Sequence, residues 1–452
     1  MGAITLRQAA QWCGGQIDDR FADVTFFGAN NDSRAVEPGQ LFVALQGQRD
    51  GHDFIPMAME RGAAAVLCSR PMGDIPAIVV EDTRKALGDI ARGERNRLGL
   101  KVVGVTGSVG KSTTKEMICA VLGTTYRVSK TPANHNNDIG MPMAVLSIPE
   151  DTQIAVLEMG MNHFREIAYL ASIAQPDVAV ITNIGTMHIE HLGSQQGILR
   201  AKLEILEGMP SDGKVILNGD DPLLWNVHRQ TLFRATYFGV QNPACDYLGS
   251  HICQSDERLC FQAHYGEMQF PVELGLEGIH YVSDALAAIG VGMELGVEPT
   301  AIRGALRQFQ NMAGRQEIFE VKGVTIIKDC YNAGPESMAA ALAVLGGRSG
   351  RRIAVLGDML ELGVCAPAEH YRVGRIAAEK ADAVLAYGPN SSRIVSGAMT
   401  GGMANNMAKA FTEREELLSA MKRTIKAGDV VLVKGSHGMH MDQILNQFLE
   451  ET

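Results

Sequence analysis

The chain has 452 residues, a net charge of −10, and 46% apolar against 20% charged residues. That composition is ordinary for a globular protein of two to four domains, and with no basic block it excludes nucleic acid as a natural partner. The eight cysteines are scattered without a C-x-x-C pair, which excludes zinc and redox motifs and points to reduced thiols. No apolar run approaches the roughly 18–20 residues of a membrane span, and the N-terminal MGAITLRQAAQW lacks the apolar core of a secretory leader. A cytoplasmic protein without membrane insertion is expected.

Residues 1–85 read as a mixed α/β region with short strands in QLFVAL, AAVLCS and AIVVED. Residues 86–312 alternate buried strands and helices. The strands are KVVGVTG, TQIAVLEMG, PDVAVITNIG and GKVILNGDD, each ending in polar or glycine residues. That is the layout of a parallel sheet with ligands at the carboxyl ends of its strands. The alternation of Leu259, Phe261 and Ala263 with Met268, Phe270 and Val272 predicts a hairpin with one buried face. Residues 313–452 form a second α/β unit, with strands in RIAVLGDM, ADAVLAYG and DVVLVKGS. The expected fold is therefore α/β in three domains: a mixed N-terminal domain, a central P-loop parallel-sheet domain and a C-terminal Rossmann-like domain.

The central domain opens on VVGVTGSVGKSTTKEM, residues 102–117. A glycine-rich turn between strand and helix lets backbone N–H groups converge on an anion at the helix N-terminus. Gly107, Ser108, Gly110 and Thr113 form that cradle, Lys111 reaches the β/γ-phosphates, and the Ser112 hydroxyl sits on Mg²⁺. The strict P-loop pattern wants glycine at position 105, which here is valine, so the loop is a shorter variant. An ATP or GTP site is the reading.

Further polar clusters lie past the strands that follow. LEMGMNH carries Glu158, TNIGTMHIEHLGS carries His188, and TPANHNNDIGMP carries a run of asparagines including Asn137. In GILRAKLEILEGM, Ile198, Lys202 and Ile205 share one helix face. A lysine on an apolar stripe carries a desolvation cost, so Lys202 must be paired, neutral or modified. One carboxylate plus the P-loop hydroxyl suffices for a nucleotide Mg²⁺, and the extra histidine hints at a second ion.

TGSVGKSTTKEM, NHNNDIG, LEMGMNH, NIGTMHIEHLGS, AKLEI, KDCYNAGPESM, GDMLELG and VKGSHGM resemble, in content and order, the Mur ligases. The stretch NDSRAVEPGQLFVALQGQRDGHDF (31–54) is similar to their UDP-substrate domain. The resemblance implies an ATP-dependent amide ligase of peptidoglycan precursor synthesis, working through an acyl phosphate. Its substrates would be UDP-N-acetylmuramoyl-tripeptide and D-alanyl-D-alanine, and it would act as a monomer. Residues 1–85 then bind the UDP substrate, 86–312 bind ATP, and 313–452 complete the ligase.

Position by position, the resemblance makes Lys111 the phosphate lysine and Ser112 with Glu158 the ligands of a first Mg²⁺. His188 becomes the ligand of a second ion, and Lys202 a carbamylated lysine at the same centre. Arg315, Asp329 and Asn332 match ATP-contacting residues of the third domain, and Ser33, Arg34 and Asn137 match substrate-binding positions. Departures are Tyr281 and Asp284 where the family shows asparagines, and Lys328, Cys330, Gly334 and His437 around the third-domain motifs. An ionised Asp284 only accepts hydrogen bonds, so it is expected to read adenine less well than asparagine. A hinge is expected at NMAG, 311–314.

Overall fold

The computed structural model describes residues 2–229, 235–255, 258–312 and 314–451. Three main sheets succeed one another along the chain. The first holds four parallel strands in sequence order, Ala29–Asn30, Leu41–Val43, Ala65–Cys68 and Ala77–Val79. The helix Thr83–Leu98 follows, started by the Asp82 carboxylate accepting from the Arg84 and Lys85 N–H groups and ended by left-handed Gly99. It packs against the helices Leu6–Cys13, Gly140–Leu146 and Glu166–Ala174, and a boundary drawn at 85/86 falls in its first turn.

The central sheet has nine strands. Seven run parallel, in the order Tyr247–Ser255, Ala235–Gly239, Lys214–Asn218, Val178–Ile181, Lys101–Thr106, Ile154–Glu158 and Val128–Lys130. The strand before the phosphate loop, Lys101–Thr106, lies at the switch point. The chain goes from it toward one edge and later returns to its other side, which opens a crevice beyond the strand ends. Val102 faces one core, with Ile167 and Leu170, while Val103 and Val105 face another, with Met117, Ile118 and Leu286. Burial on both faces explains the unbroken apolar run.

The expected hairpin is present as Arg258–Tyr265 antiparallel to Met268–Leu274, with Phe261 opposite Val272. Two details differ from the sequence reading. Met268 is exposed, because it sits at the turn beyond the helices that cover the sheet. The hairpin also continues a third strand, Tyr247–Ser255, which links it to the parallel sheet; its second half is largely exposed and polar, and carries no apolar alternation.

The third sheet has six strands, ordered Glu317–Val321, Val324–Asp329, Asp429–Lys434, Arg351–Gly357, Ala383–Tyr387 and Ala408–Phe411. All are parallel except the first. Helices cover both faces, with Ala354 and Leu356 in one core and Ile353 and Val355 in the other. No helix among the described residues is long and apolar enough to cross a membrane.

Candidate active site

The phosphate loop is held open by its own backbone demands. Gly107 (φ +153°) and Gly110 (φ +85°) adopt conformations that side chains disfavour. A Cβ at Gly107 would meet the Thr182 hydroxyl at 1.8 Å. The next strand end braces the loop from outside. The Asn183 amide accepts from Val109 N–H at 2.9 Å and donates to Val109 C=O at 3.1 Å, while Gly185 N–H donates to Ser108 Oγ at 2.9 Å. The helix Lys111–Leu122 then begins, its N-terminus pointing free N–H groups into the crevice. Lys111 Nζ curls back to the carbonyls of Gly107 (2.9 Å) and Ser108 (3.3 Å). Burial lowers its pKa, which the Glu158 carboxylate opposes.

Glu158 ends its strand almost fully buried and is held by three residues. Ser112 Oγ donates to Oε2 at 2.8 Å, Asn136 Nδ2 donates to Oε1 at 2.8 Å, and Lys115 Nζ lies 3.7 Å from Oε2. Lys115 is itself wholly buried and donates to the carbonyls of Thr131 (2.8 Å) and Ala133 (3.3 Å). It thus ties the asparagine loop, where Ala133 is left-handed (φ +44°), to the phosphate-loop helix.

From the third unit, Arg315 Nη2 donates to Ser112 Oγ at 2.9 Å, with its guanidinium 4.1 Å above the Tyr331 ring. Asp329 Oδ2 pairs with buried Lys434 Nζ at 2.6 Å, and the same ammonium donates to the Asn332 carbonyl at 2.9 Å. Asp284 accepts from Thr114 Oγ1 at 2.8 Å and abuts Gly110, where a Cβ would lie 2.7 Å from Oδ1. Burial pushes its pKa up to about 7, against the Thr114 hydrogen bond and the Arg315 charge. At that value carboxyl and carboxylate forms of Asp284 coexist near neutrality. A protonated carboxyl donates and accepts as asparagine does, so the expectation of a carboxylate that only accepts applies above about pH 7 and not below it.

Ser108, Gly110, Lys111, Ser112, Thr113, Glu158, His188, Asp284, Arg315, Asp329 and Asn332 line one cleft. Gly107 lies immediately before them at the strand end. Lys202 is not among the residues lining this cleft; it lies on the helix Gln195–Leu203, buried as Ile198 and Ile205 are. Burial, then the nearby Lys111 charge, holds its pKa well below the lysine range.

Three residues lie elsewhere. Ser33 is buried and donates to Met57 Sδ at 3.3 Å, and the exposed Arg34 pairs with Asp32 at 2.8 Å, both in the first unit. Asn137 stands just ahead of the helix Gly140–Leu146, its Oδ1 accepting from Gly140 N–H at 2.7 Å. Of the asparagine run, it is the neighbour Asn136 that lines the cleft. Lys115, Asn136 and Lys434 are the residues whose roles the sequence reading missed. Of the expected hinge, Asn311 donates to the Tyr281 hydroxyl at 2.7 Å and Gly314 is left-handed (φ +75°); Ala313 lies outside the described residues.

The donor set bears on cations. Among the described residues no three His, Cys, Asp or Glu side chains are grouped to hold a metal ion. A hydroxyl hydrogen-bonded to one buried carboxylate fits Mg²⁺ that takes its remaining ligands from phosphate and water.

Family models match the chain in three consecutive segments: Mur ligase family, catalytic domain over 27–95, Mur ligase middle domain over 105–292, and Mur ligase, glutamate ligase domain over 314–437. The chain belongs to the Mur ligase family. It is an ATP-dependent carbon–nitrogen ligase. UDP-N-acetylmuramoyl-tripeptide--D-alanyl-D-alanine ligase of Bacillus subtilis is 40% identical, over 99% of this chain and 98% of its own. The Escherichia coli enzyme of the same name is 35% identical over 100% and 99%. A crystal structure of MurF from Acinetobacter baumannii superposes with a TM-score of 0.92 at 33% identity, covering 100% and 99% of the two chains. MurF of Thermotoga maritima in complex with ADP gives 0.83 at 29% identity, over 94% and 97%.

Proposed function

We propose that this ligase joins D-alanyl-D-alanine to UDP-N-acetylmuramoyl-tripeptide in cytoplasmic peptidoglycan precursor synthesis. The observation that carries the proposal is the meeting of the phosphate loop, Glu158 and Arg315 in one cleft between the central and third units. The full-length likeness to ligases of that name supports the choice of substrates.

Lys111 and the N–H groups of Gly110, Ser112 and Thr113 hold the ATP phosphates, in a loop turned by Gly107 and pinned by the Ser108 N–H donating to the Asn183 carbonyl at 3.1 Å, with Lys111 leaving its loop carbonyls for the γ-phosphate. Asp284, Arg315, Asp329 and Asn332 hold the rest of the nucleotide. Ser33 and Arg34 bind the UDP moiety from the first unit, and Asn137 shapes the asparagine loop that faces the tripeptide. The terminal carboxylate of the tripeptide attacks the γ-phosphorus, giving an acyl phosphate and ADP. The amine of the dipeptide then attacks the acyl carbon, and phosphate leaves from the tetrahedral intermediate. A carboxylate is a poor acylating agent and its phosphoric anhydride a good one. The protein's part is positioning and charge neutralisation.

Ser112 and Glu158 would hold one Mg²⁺, and His188 with a carbamate on Lys202 a second. Such ions neutralise charge on the transferring phosphoryl group. Lys202 suits carbamylation because its lowered pKa leaves a neutral amine, the form that adds CO₂. A monomer is the proposed assembly.

A substrate panel tests the proposal, with UDP-linked tripeptides against several dipeptides and ATP against GTP, products read by mass spectrometry. The expected product gains one D-alanyl-D-alanine unit. Efficient coupling of another amine in its place would reassign the acceptor.

A further inference from the structure

The loop that carries His188 is gripped from the third unit by two carboxylates. Glu336 Oε1 accepts from Thr186 Oγ1 at 3.3 Å, and Glu361 Oε2 lies 2.6 Å from His188 Nδ1. The second approach is short, yet Nδ1 is not in line for a hydrogen bond. His188 and Glu361 both have φ of +63°, a backbone state uncommon outside glycine. The Glu361 loop is pressed close: a Cβ on Gly363 would lie 3.0 Å from Glu190 Cβ. None of these contacts belongs to the nucleotide contacts assigned above, and Glu361 is not among the residues lining the cleft.

Imidazole chemistry gives the contact a consequence. A neutral ring has one N–H and one lone pair, and a carboxylate facing Nδ1 favours the tautomer protonated there. The lone pair is then on Nε2, available to a cation. A carboxylate that accepts the second ring N–H of a ligating histidine raises ligand basicity and fixes ring orientation, and its loss costs about 10- to 100-fold in metal affinity or activity; Glu361 stands at that distance, and the ring has to turn Nδ1–H into line with it.

We infer that Glu361 is a positioning residue for His188, a carboxylate delivered by the third unit that frees Nε2 for a divalent cation. The cation site is thereby complete only when the third unit is docked. The inference rests on His188 being a cation ligand, as proposed above. A bare surface ion pair is the competing explanation, since the Glu361 side chain is 47% exposed, and pairs of that kind contribute little to stability.

The test uses the full-length protein and the variants Glu361→Ala, Glu361→Asp and His188→Ala. Mn²⁺ binding is followed by electron paramagnetic resonance with a non-hydrolysable ATP analogue and UDP-tripeptide present, alongside Mg²⁺ activation of turnover. His188→Ala identifies the Mn²⁺ site in question. Glu361→Ala is expected to weaken that site about 10-fold or more, to shift Mg²⁺ activation equally, and to leave the thermal midpoint unchanged. Glu361→Asp is expected to recover part of the loss. Mn²⁺ binding and Mg²⁺ activation within two-fold of wild type in Glu361→Ala would overturn the inference. So would a lowered thermal midpoint that Glu361→Asp shares, since the contact would then be structural. A wild-type protein that binds Mn²⁺ in a Glu361-dependent way but joins no dipeptide would instead overturn the proposed substrates and leave this inference standing.

Discussion

Arg315 Nη2 donates to Ser112 Oγ across 2.9 Å, joining residues 203 positions apart, and Ser112 Oγ in turn donates to Glu158 Oε2 at 2.8 Å. A cation from the third unit, the phosphate-loop hydroxyl and a buried carboxylate thus form one chain of hydrogen bonds. Movement of the third unit therefore acts on Ser112 and Glu158, the groups proposed to face the γ-phosphate.

Arg315→Ala removes both the Ser112 bond and the stacking on Tyr331. Hydrogen bonds to charged groups contribute about 1.5–3 kcal/mol, so kcat/KM for ATP is expected to fall roughly 10- to 100-fold. Arg315→Lys keeps the charge without the planar fork and should fall between. Steady-state kinetics in ATP checks both variants, and an Arg315→Ala enzyme with wild-type kcat/KM would remove Arg315 from the site.

Asp284 gives a pH signature with a definite sign. Its folded pKa of about 7 stands above the ordinary 3.8, so between those values the folded chain holds a proton that the unfolded chain releases. Stability therefore falls as pH rises through that window, by up to about 1.4 kcal/mol per pH unit. Asp284→Asn removes the dependence, and its thermal midpoint should exceed that of wild type by a margin that grows up to about pH 7 and then levels. KM for ATP should match wild type in mild acid and be a few-fold lower than wild type in mild alkali, where the carboxyl is ionised. Parallel pH profiles for the two proteins would show that Asp284 is not titrating there.

Much of this geometry was legible in the sequence where chemistry is local. The phosphate loop and its flanking strand and helix are contiguous, and glycine, lysine and serine act within a few residues of one another. Lys115 was not legible, because its partners are the backbone carbonyls of Thr131 and Ala133, and a carbonyl has no sequence signature. Asn136 and Asn137 are chemically identical neighbours; only the start of the following helix decides which one accepts from Gly140 N–H and which turns to Glu158. Lys434 lies 105 positions from Asp329 and meets it because their strands are paired in parallel.

Lys115→Met tests the buried clamp. Leaving the Glu158 carboxylate without its buried cation costs about 3–5 kcal/mol, which corresponds to a fall in thermal midpoint on the order of 10 °C. Differential scanning calorimetry reads it. A midpoint equal to that of wild type would mean that Ser112 and Asn136 alone hold Glu158.

Lys202→Ala should abolish most turnover while leaving the thermal midpoint near wild type, and millimolar formate or acetate should restore part of it by supplying a small carboxylate where the carbamate stood. Near wild-type turnover without added acid would rule out the modified lysine.

The central claim is that the γ-phosphate passes through the substrate carboxylate. The most direct measurement uses UDP-tripeptide labelled with ¹⁸O in its terminal carboxyl group, with ATP and D-alanyl-D-alanine, and mass analysis of the released phosphate. The oxygen that attacks phosphorus stays with the phosphate when the amine displaces it, so the expected result is phosphate carrying one ¹⁸O per dipeptide joined. Unlabelled phosphate released alongside coupled product would contradict it.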